Sequence, residues 1–204
     1  MIFGMMTQIN KQSKLAVLIL SFIICFPAFA LDEKKNHISS LEKLLQEFSE
    51  KKQNEVDFKE EKHAFYLDEP IKSSGYLQFF APNKLNKFIN TPEKSSQKID
   101  GDTLTVREGN KTHIVDLNDH PEFSIILRSI IHVLSGDHAA LKKDFKIKFK
   151  SKPSGWTLSL RPYDSFTASN VDSIQMFGKR NVFLKMIVKE PNNDYTLTTL
   201  YNHR

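Results

Sequence analysis

Cysteine is nearly absent from this chain of 204 residues: its one copy is Cys25, and nothing after it carries a thiol. Disulfide staples, a cysteine nucleophile and cysteine-ligated zinc are thereby excluded from residues 31–204. Cys25 itself follows bulky Ile23 and Ile24 inside an apolar run, whereas a bacterial lipidation site wants small residues before its cysteine. Long apolar runs are lacking too. The one run of note, Leu15 to Phe26, is shorter than the ~20 residues that cross a hydrocarbon core. Charge of one sign is scarce: the formal net charge is +5, too little to argue for nucleic acid. There is no nucleophile elbow, phosphate-binding glycine loop, calcium loop or helical pair of metal ligands. Internal repeats and low-complexity tracts are missing as well. The expectation is therefore a protein with no catalytic residues, no cofactor, no metal and no nucleic-acid partner.

What is present begins with an export signal. Lys11 and Lys14 precede the Leu15 to Phe26 run, and Ala28-Phe29-Ala30 has the small-x-small form of a cleavage site. Residues 1–30 are read as a cleaved signal peptide and 31–204 as one domain, long enough to bury a real core. The signal contains four of the 16 phenylalanines; the rest stand beside a single tryptophan.

Periodicity then assigns the elements. Leu41, Leu44, Leu45 and Phe48 fall at helical spacing behind Ser39 and Ser40, which suit a helix start. From Val56 the period is two, with Phe58 in phase and Phe65 and Leu67 out of phase, as a bulge near Glu60-Glu61 would produce. Short alternating runs follow, separated by Ala81-Pro82-Asn83, Thr91-Pro92, Asp100-Gly101 and Gly109-Asn110, which reads as a meander of hairpins. Pro121 to Leu134 interrupts it as a broadly apolar helix stopped by Gly136, with a short helical turn at Asp137 to Lys143. Strands resume at Phe145, where Ile147 and Phe149 alternate with Lys146, Lys148 and Lys150. They continue through Trp156 to Leu160, Val171 to Phe177, Val182 to Lys189 and Tyr195 to Asn202. The fold class is mainly β, about eleven antiparallel strands with two or three helices. Whether its interior is solid or hollow is open at this level, because Phe and Leu fill cores in both cases.

The polar candidates read as structural. His132 and His138 straddle Gly136, so one helical face does not present both. Asp119-His120-Pro121-Glu122 suits a helix entry. Glu60 and Glu61 point to opposite faces of a strand and read as a solvated edge. The lysine row reads as an outer face that discourages edge association, with anionic headgroups or an acidic protein as the alternative partner.

Several segments, taken in order, carry a family likeness. Ser74-Gly75-Tyr76-Leu77-Gln78-Phe79 leads into Ala81-Pro82-Asn83-Lys84-Leu85-Asn86-Lys87. Ser96 to Leu104 holds the Asp100-Gly101-Asp102 hairpin, and Trp156-Thr157-Leu158-Ser159-Leu160-Arg161-Pro162 comes later. Over nearly all of residues 31–204 the sequence resembles the LolA family of periplasmic carriers for outer-membrane lipoproteins. The resemblance implies an incomplete, curved antiparallel β-barrel with an α-helical lid over an apolar cavity. It also implies a monomer in the periplasm that takes acyl chains from an inner-membrane donor and gives them to an outer-membrane acceptor.

On that reading the lipid-binding candidates are Phe58, Phe65, Leu77, Phe79, Phe88, Leu104, Val106, Phe149, Trp156 and Leu158. The lid candidates are Phe123, Ile126, Ile130 and Leu134. Two departures from the family pattern stand out. Ala81 occupies the place of an arginine that fastens the lid, and Lys84 or Lys87 would be an unequal substitute for a planar guanidinium. The chain also stops soon after its last strand. These departures leave room for a glycolipid or other non-protein lipid as cargo, or for a protein-binding envelope sensor on the same scaffold.

Overall fold

The computed structural model describes residues 40–202; the expected signal peptide lies outside the described residues. Eleven strands form one antiparallel sheet. In chain order they are β1 (Gln53–His63), β2 (Ile71–Phe80), β3 (Lys84–Thr91), β4 (Ser95–Asp100), β5 (Thr103–Glu108), β6 (Lys111–Asp116), β7 (Phe145–Lys152), β8 (Gly155–Pro162), β9 (Ser173–Lys179), β10 (Val182–Lys189) and β11 (Tyr195–Asn202). The helices are α1 (Leu41–Ser49), α2 (Pro121–Ser135), α3 (His138–Asp144) and α4 (Ser165–Ala168).

The strand order is β6-β5-β4-β3-β2-β1-β11-β10-β9-β8-β7. Two hairpin meanders run outward from the middle and are joined where the last strand pairs with the first, Phe58 opposite Leu200. Strands β6 and β7 are the edges, so the sheet is curved but not closed. The mainly β class and the helix-covered open sheet therefore agree with the sequence expectation. The second meander cannot begin until the chain has crossed from one edge to the other. Helices α2 and α3 make that crossing, which lays α2 across the inner face.

Local chemistry sets the helix ends. Ser40 caps α1, its hydroxyl accepting from the Lys43 amide at 3.2 Å, and Asp137 caps α3 by accepting from the Ala140 amide at 2.9 Å. Pro121 opens α2 and Gly136 ends it at φ 78°, a left-handed conformation that glycine adopts without cost. A Cβ on Gly136 would also sit 2.7 Å from the Leu45 carbonyl oxygen. That contact brings the end of α2 against α1. Helix α4 was absent from the sequence expectation, which had no apolar period to find in Ser-Phe-Thr-Ala. It is held by the Asp164 carboxylate, which accepts from the Thr167 amide and hydroxyl at 2.6 and 2.7 Å. Those bonds keep the Asp164 carboxyl below its ordinary range.

The main core lies between the inner face of β7, β8 and β9 and the helices. Phe145, Leu158, Leu160, Ile174 and Met176 are buried there with Leu44, Leu45, Phe48 and Leu141. Trp156 packs edge-on against Phe48 at 6.1 Å and donates from Nε1 to the Arg180 carbonyl at 2.7 Å. Its ring lies over Gly178, where any Cβ would collide with it.

Candidate functional site

Beside this core the inner face does not close up. A cavity of about 310 Å³ lies between α2 and the middle strands. Its floor is Val56, Leu77, Phe79, Leu85, Met186 and Leu200, and Ile130 and Leu134 of α2 roof it. Period two in the strands places the floor residues on one face, and the i, i+4 spacing of Ile130 and Leu134 places both on the underside of α2. The cavity opens where Tyr201, Val182 and Leu184 are exposed. Lys51 and Asn181 stand at that opening, joined by a hydrogen bond from Lys51 Nζ to the Asn181 carbonyl at 2.6 Å. The walls are mostly hydrocarbon, with Asn54 and Thr198 among them, and the volume is at the lower end of small-ligand pockets, ~300 Å³.

The structure distributes the sequence candidates over several places. Leu77 and Phe79 line this cavity, Phe58 and Leu77 line a smaller one beside it, and Ile126, Ile130 and Leu134 cover the two. Trp156 and Leu158 face inward but belong to the solid core, Leu158 being 0% exposed. Phe149, opposite Leu158, and Leu104, opposite Ile99, are half-buried against the wider apolar cluster and line neither cavity. Val106 is half-buried on β5 and lines neither cavity.

Three candidates are misplaced in the sequence reading. Phe65 is 82% exposed; β1 ends at His63, and the Phe65 amide donates to Asp194 Oδ1 at 2.9 Å in the following turn. The phase change that suggested a bulge is thus the strand's end, since β1 pairs without a break on both sides. Phe88 lies on the outer face, opposite Tyr76, with the two rings stacked at 4.6 Å. Phe123 is 58% exposed, because in the first turn of α2 it is Ser124 that turns inward.

Sequence reasoning also missed two polar arrangements. Glu60 is no solvated edge: β1 lies between β2 and β11, and Glu60 faces the interior. There its Oε1 accepts from Lys87 Nζ at 2.7 Å and its Oε2 from the Thr198 hydroxyl at 2.9 Å. Its phase with Val56 and Phe58 was the available signal, as Leu85 and Ile89 were for Lys87. The second is Arg128 on α2, whose Nη2 donates to Asp102 Oδ1 and to Asn118 Oδ1, both at 2.8 Å. This guanidinium ties the roof helix to the β4–β5 turn. An arginine fastening is therefore present although Ala81 lacks one; it comes from the helix instead of from the end of β2.

Other titratable groups make ordinary pairs. His132 Nδ1 lies 3.9 Å from Asp137 and His138 Nδ1 3.8 Å from Glu42, so the two rings serve different partners. Burial lowers the His132 pKa, opposed by Asp137 and Asp144. Among the described residues no three His, Cys, Asp or Glu side chains gather as metal ligands would.

The residues that build this floor and roof fall within a match to the family model for outer membrane lipoprotein carrier protein LolA-like, spanning residues 36–202. The chain belongs to the LolA-like family. No curated protein sequence matches it. Among solved structures, a LolA superfamily protein from Nitrosomonas europaea is similar at 9% identity and TM-score 0.41, over 81% of this chain and 94% of that one. A DUF1329 family protein from Desulfovibrio piger is similar at 8% identity and TM-score 0.46, over 79% and 89%. The MucA/MucB complex of Pseudomonas aeruginosa is similar at 10% identity and TM-score 0.44, over 79% and 56%. All three scores are below 0.5, so the LolA-like assignment rests on the family model. Among the described residues no helix is long and apolar enough to cross a membrane.

Proposed function

We propose that this LolA-like chain is a non-catalytic periplasmic carrier that buries an acyl chain of a lipoprotein or another lipid under α2 and moves it toward the outer membrane. The observation that carries this reading is the cavity of about 310 Å³ walled by Val56, Leu77, Phe79, Ile130, Leu134 and Met186. Hydrocarbon has a strong reason to occupy such a space. A sixteen-carbon chain exposed to water costs on the order of 10 kcal/mol, at ~0.8 kcal/mol per methylene. A carrier that reburies the chain removes most of the barrier to crossing an aqueous compartment.

A donor at the inner membrane and an acceptor at the outer membrane complete the route. The carrier has no energy source of its own, so release requires an acceptor that binds the chain better or favours an open position of α2. The cavity size favours one chain at a time in the state described.

Native mass spectrometry of the protein taken gently from the periplasm, followed by lipid extraction, tests the proposal. A stoichiometric acylated molecule is the expected result. A bare protein mass, unchanged after incubation with envelope lipids, would refute it and turn attention to a protein partner.

A further inference from the structure

The space under α2 is not uniformly apolar. A second cavity of about 110 Å³ adjoins the first, and Leu77, Leu85, Ile130, Met186 and Thr198 border both. The Glu60–Lys87 pair and Gln97 stand in the wall of this second cavity. The Lys87 ammonium lies 4.8 Å from the centre of the Phe58 ring. The two charged side chains are 23% and 21% exposed, so they are largely withdrawn from water yet reach the cavity.

An ion pair in this position is a poor stabiliser. Desolvation costs several kcal/mol per ion, and packed hydrophobic side chains of the same size do as well or better. Its hydrogen-bonding capacity is more informative. An ammonium has three donors and a carboxylate about four acceptor positions. Among the described residues, one Lys87 donor goes to Glu60, and Glu60 accepts only from Lys87 and Thr198. Donor and acceptor capacity therefore remain side by side in the wall of a small cavity that shares its apolar lining with the larger one. The pair is neutral as a whole, so it does not select a ligand for net charge. It suits a dipolar group: a carbonyl facing Lys87, and any N–H beside it facing Glu60.

We propose that Lys87 and Glu60 form a specificity site for the carbonyl of an ester- or amide-linked acyl chain, whose hydrocarbon fills the adjoining cavity. This rests on the acyl-carrier reading and adds to it what the carrier recognises besides hydrocarbon. The pair would distinguish an acylated cargo from an alkyl chain of equal length.

Three ligands with one hydrocarbon length test it on the full protein: monohexadecanoylglycerol (ester), N-hexadecanoylethanolamine (amide) and hexadecylglycerol ether, which has no carbonyl. The ester and the amide are expected to bind at least about tenfold tighter than the ether, a difference of about 1.4 kcal/mol. Whichever of the two is tighter identifies the linkage. Lys87→Met is expected to bring the ester down to the level of the ether while the ether itself is unaffected. Should Lys87→Met fail to fold, the Glu60→Gln, Lys87→Gln double variant keeps the shape without the charges and is expected to lose the same preference. Equal binding of all three ligands to the unaltered protein, or a preference that survives in the variants, would overturn the carbonyl site and leave the carrier standing. Binding of none of the three would overturn both.

Discussion

Two regions of the one sheet treat their inner faces differently. Where β7, β8 and β9 meet α1 and α3, Phe145, Leu158, Leu160, Ile174 and Met176 are buried to 1% exposure or less. Where β1, β2, β3, β10 and β11 pass under α2, the same alternation leaves two cavities. What covers the sheet differs between the two regions. The first region points a tryptophan, a phenylalanine and long aliphatic groups inward, where α1 and α3 cover them and leave them buried. The second also presents large groups, Phe58, Leu77, Phe79, Leu85 and Met186, with Val56 and Thr198 between them. Among the described residues α2 is the one helix that lines the two cavities, and it does not fill the space over these strands. The packed region gives the fold its stability, and on the proposed carrier reading the hollow region accepts the guest.

That contrast predicts the largest effect at Leu158. Leu158→Ala should cost about 2–5 kcal/mol, read in a denaturant titration, and any loss of acyl binding should follow the loss of fold. Leu77→Trp should do the reverse. It places an indole in existing space, so acyl binding should fall at least about tenfold in a fluorescent acyl-probe titration while the melting temperature moves by only a few degrees. If both substitutions acted alike, the division into packed and hollow regions would be wrong.

Arg128 sharpens the comparison at the roof. It is about a third exposed and bonds to an exposed carboxylate, so Arg128→Ala should change global stability by under ~1 kcal/mol. The local effect should be clearer: faster hydrogen exchange in the first half of α2 and at the β4–β5 turn, with β8 and β9 unchanged.

A smaller effect is expected from pH. Burial holds His132 below its ordinary pKa, so the folded protein binds its proton less readily than the unfolded chain does. Stability from this group is complete above the unfolded value of ~6.5 and is lost as pH falls toward the lower folded value. Denaturation midpoints measured between neutral and mildly acidic pH should therefore fall for the unaltered protein and fall less for His132→Gln. The smallest effect belongs to the outer face of the packed region. Lys148→Gln there should leave stability within about 0.5 kcal/mol, as the exposed row Lys146, Lys148 and Lys150 on edge strand β7 implies.

The architecture was largely legible in the sequence because its elements are strongly periodic. Strand β7, with Ile147 and Phe149 alternating with lysines, and helix α2, opened by proline and followed by glycine, are visible from residue spacing alone. The site was only partly legible, for two physical reasons. Alternation says which residues share a face but not whether the opposing surface reaches them. Leu158 and Leu77 therefore look alike in sequence, although one is sealed and the other borders a void. Hydrophobicity also misleads where the inner face carries charge: on β3 it favours Phe88 over Lys87, and strand phase from Leu85 gives the opposite and correct assignment. Arg128 could not be found by spacing, since its partners Asp102 and Asn118 lie 26 and 10 residues away along the chain.

The central claim is that the hollow region, not the packed one, receives the acyl chain. Methyl-labelled protein titrated with monohexadecanoylglycerol and followed by NMR tests this most directly. The account predicts shifts at the methyl groups of Leu77, Leu85, Ile130, Leu134 and Met186, with Leu158, Leu160, Ile174 and Met176 unmoved. Shifts centred on the second group, or none at either, would contradict it.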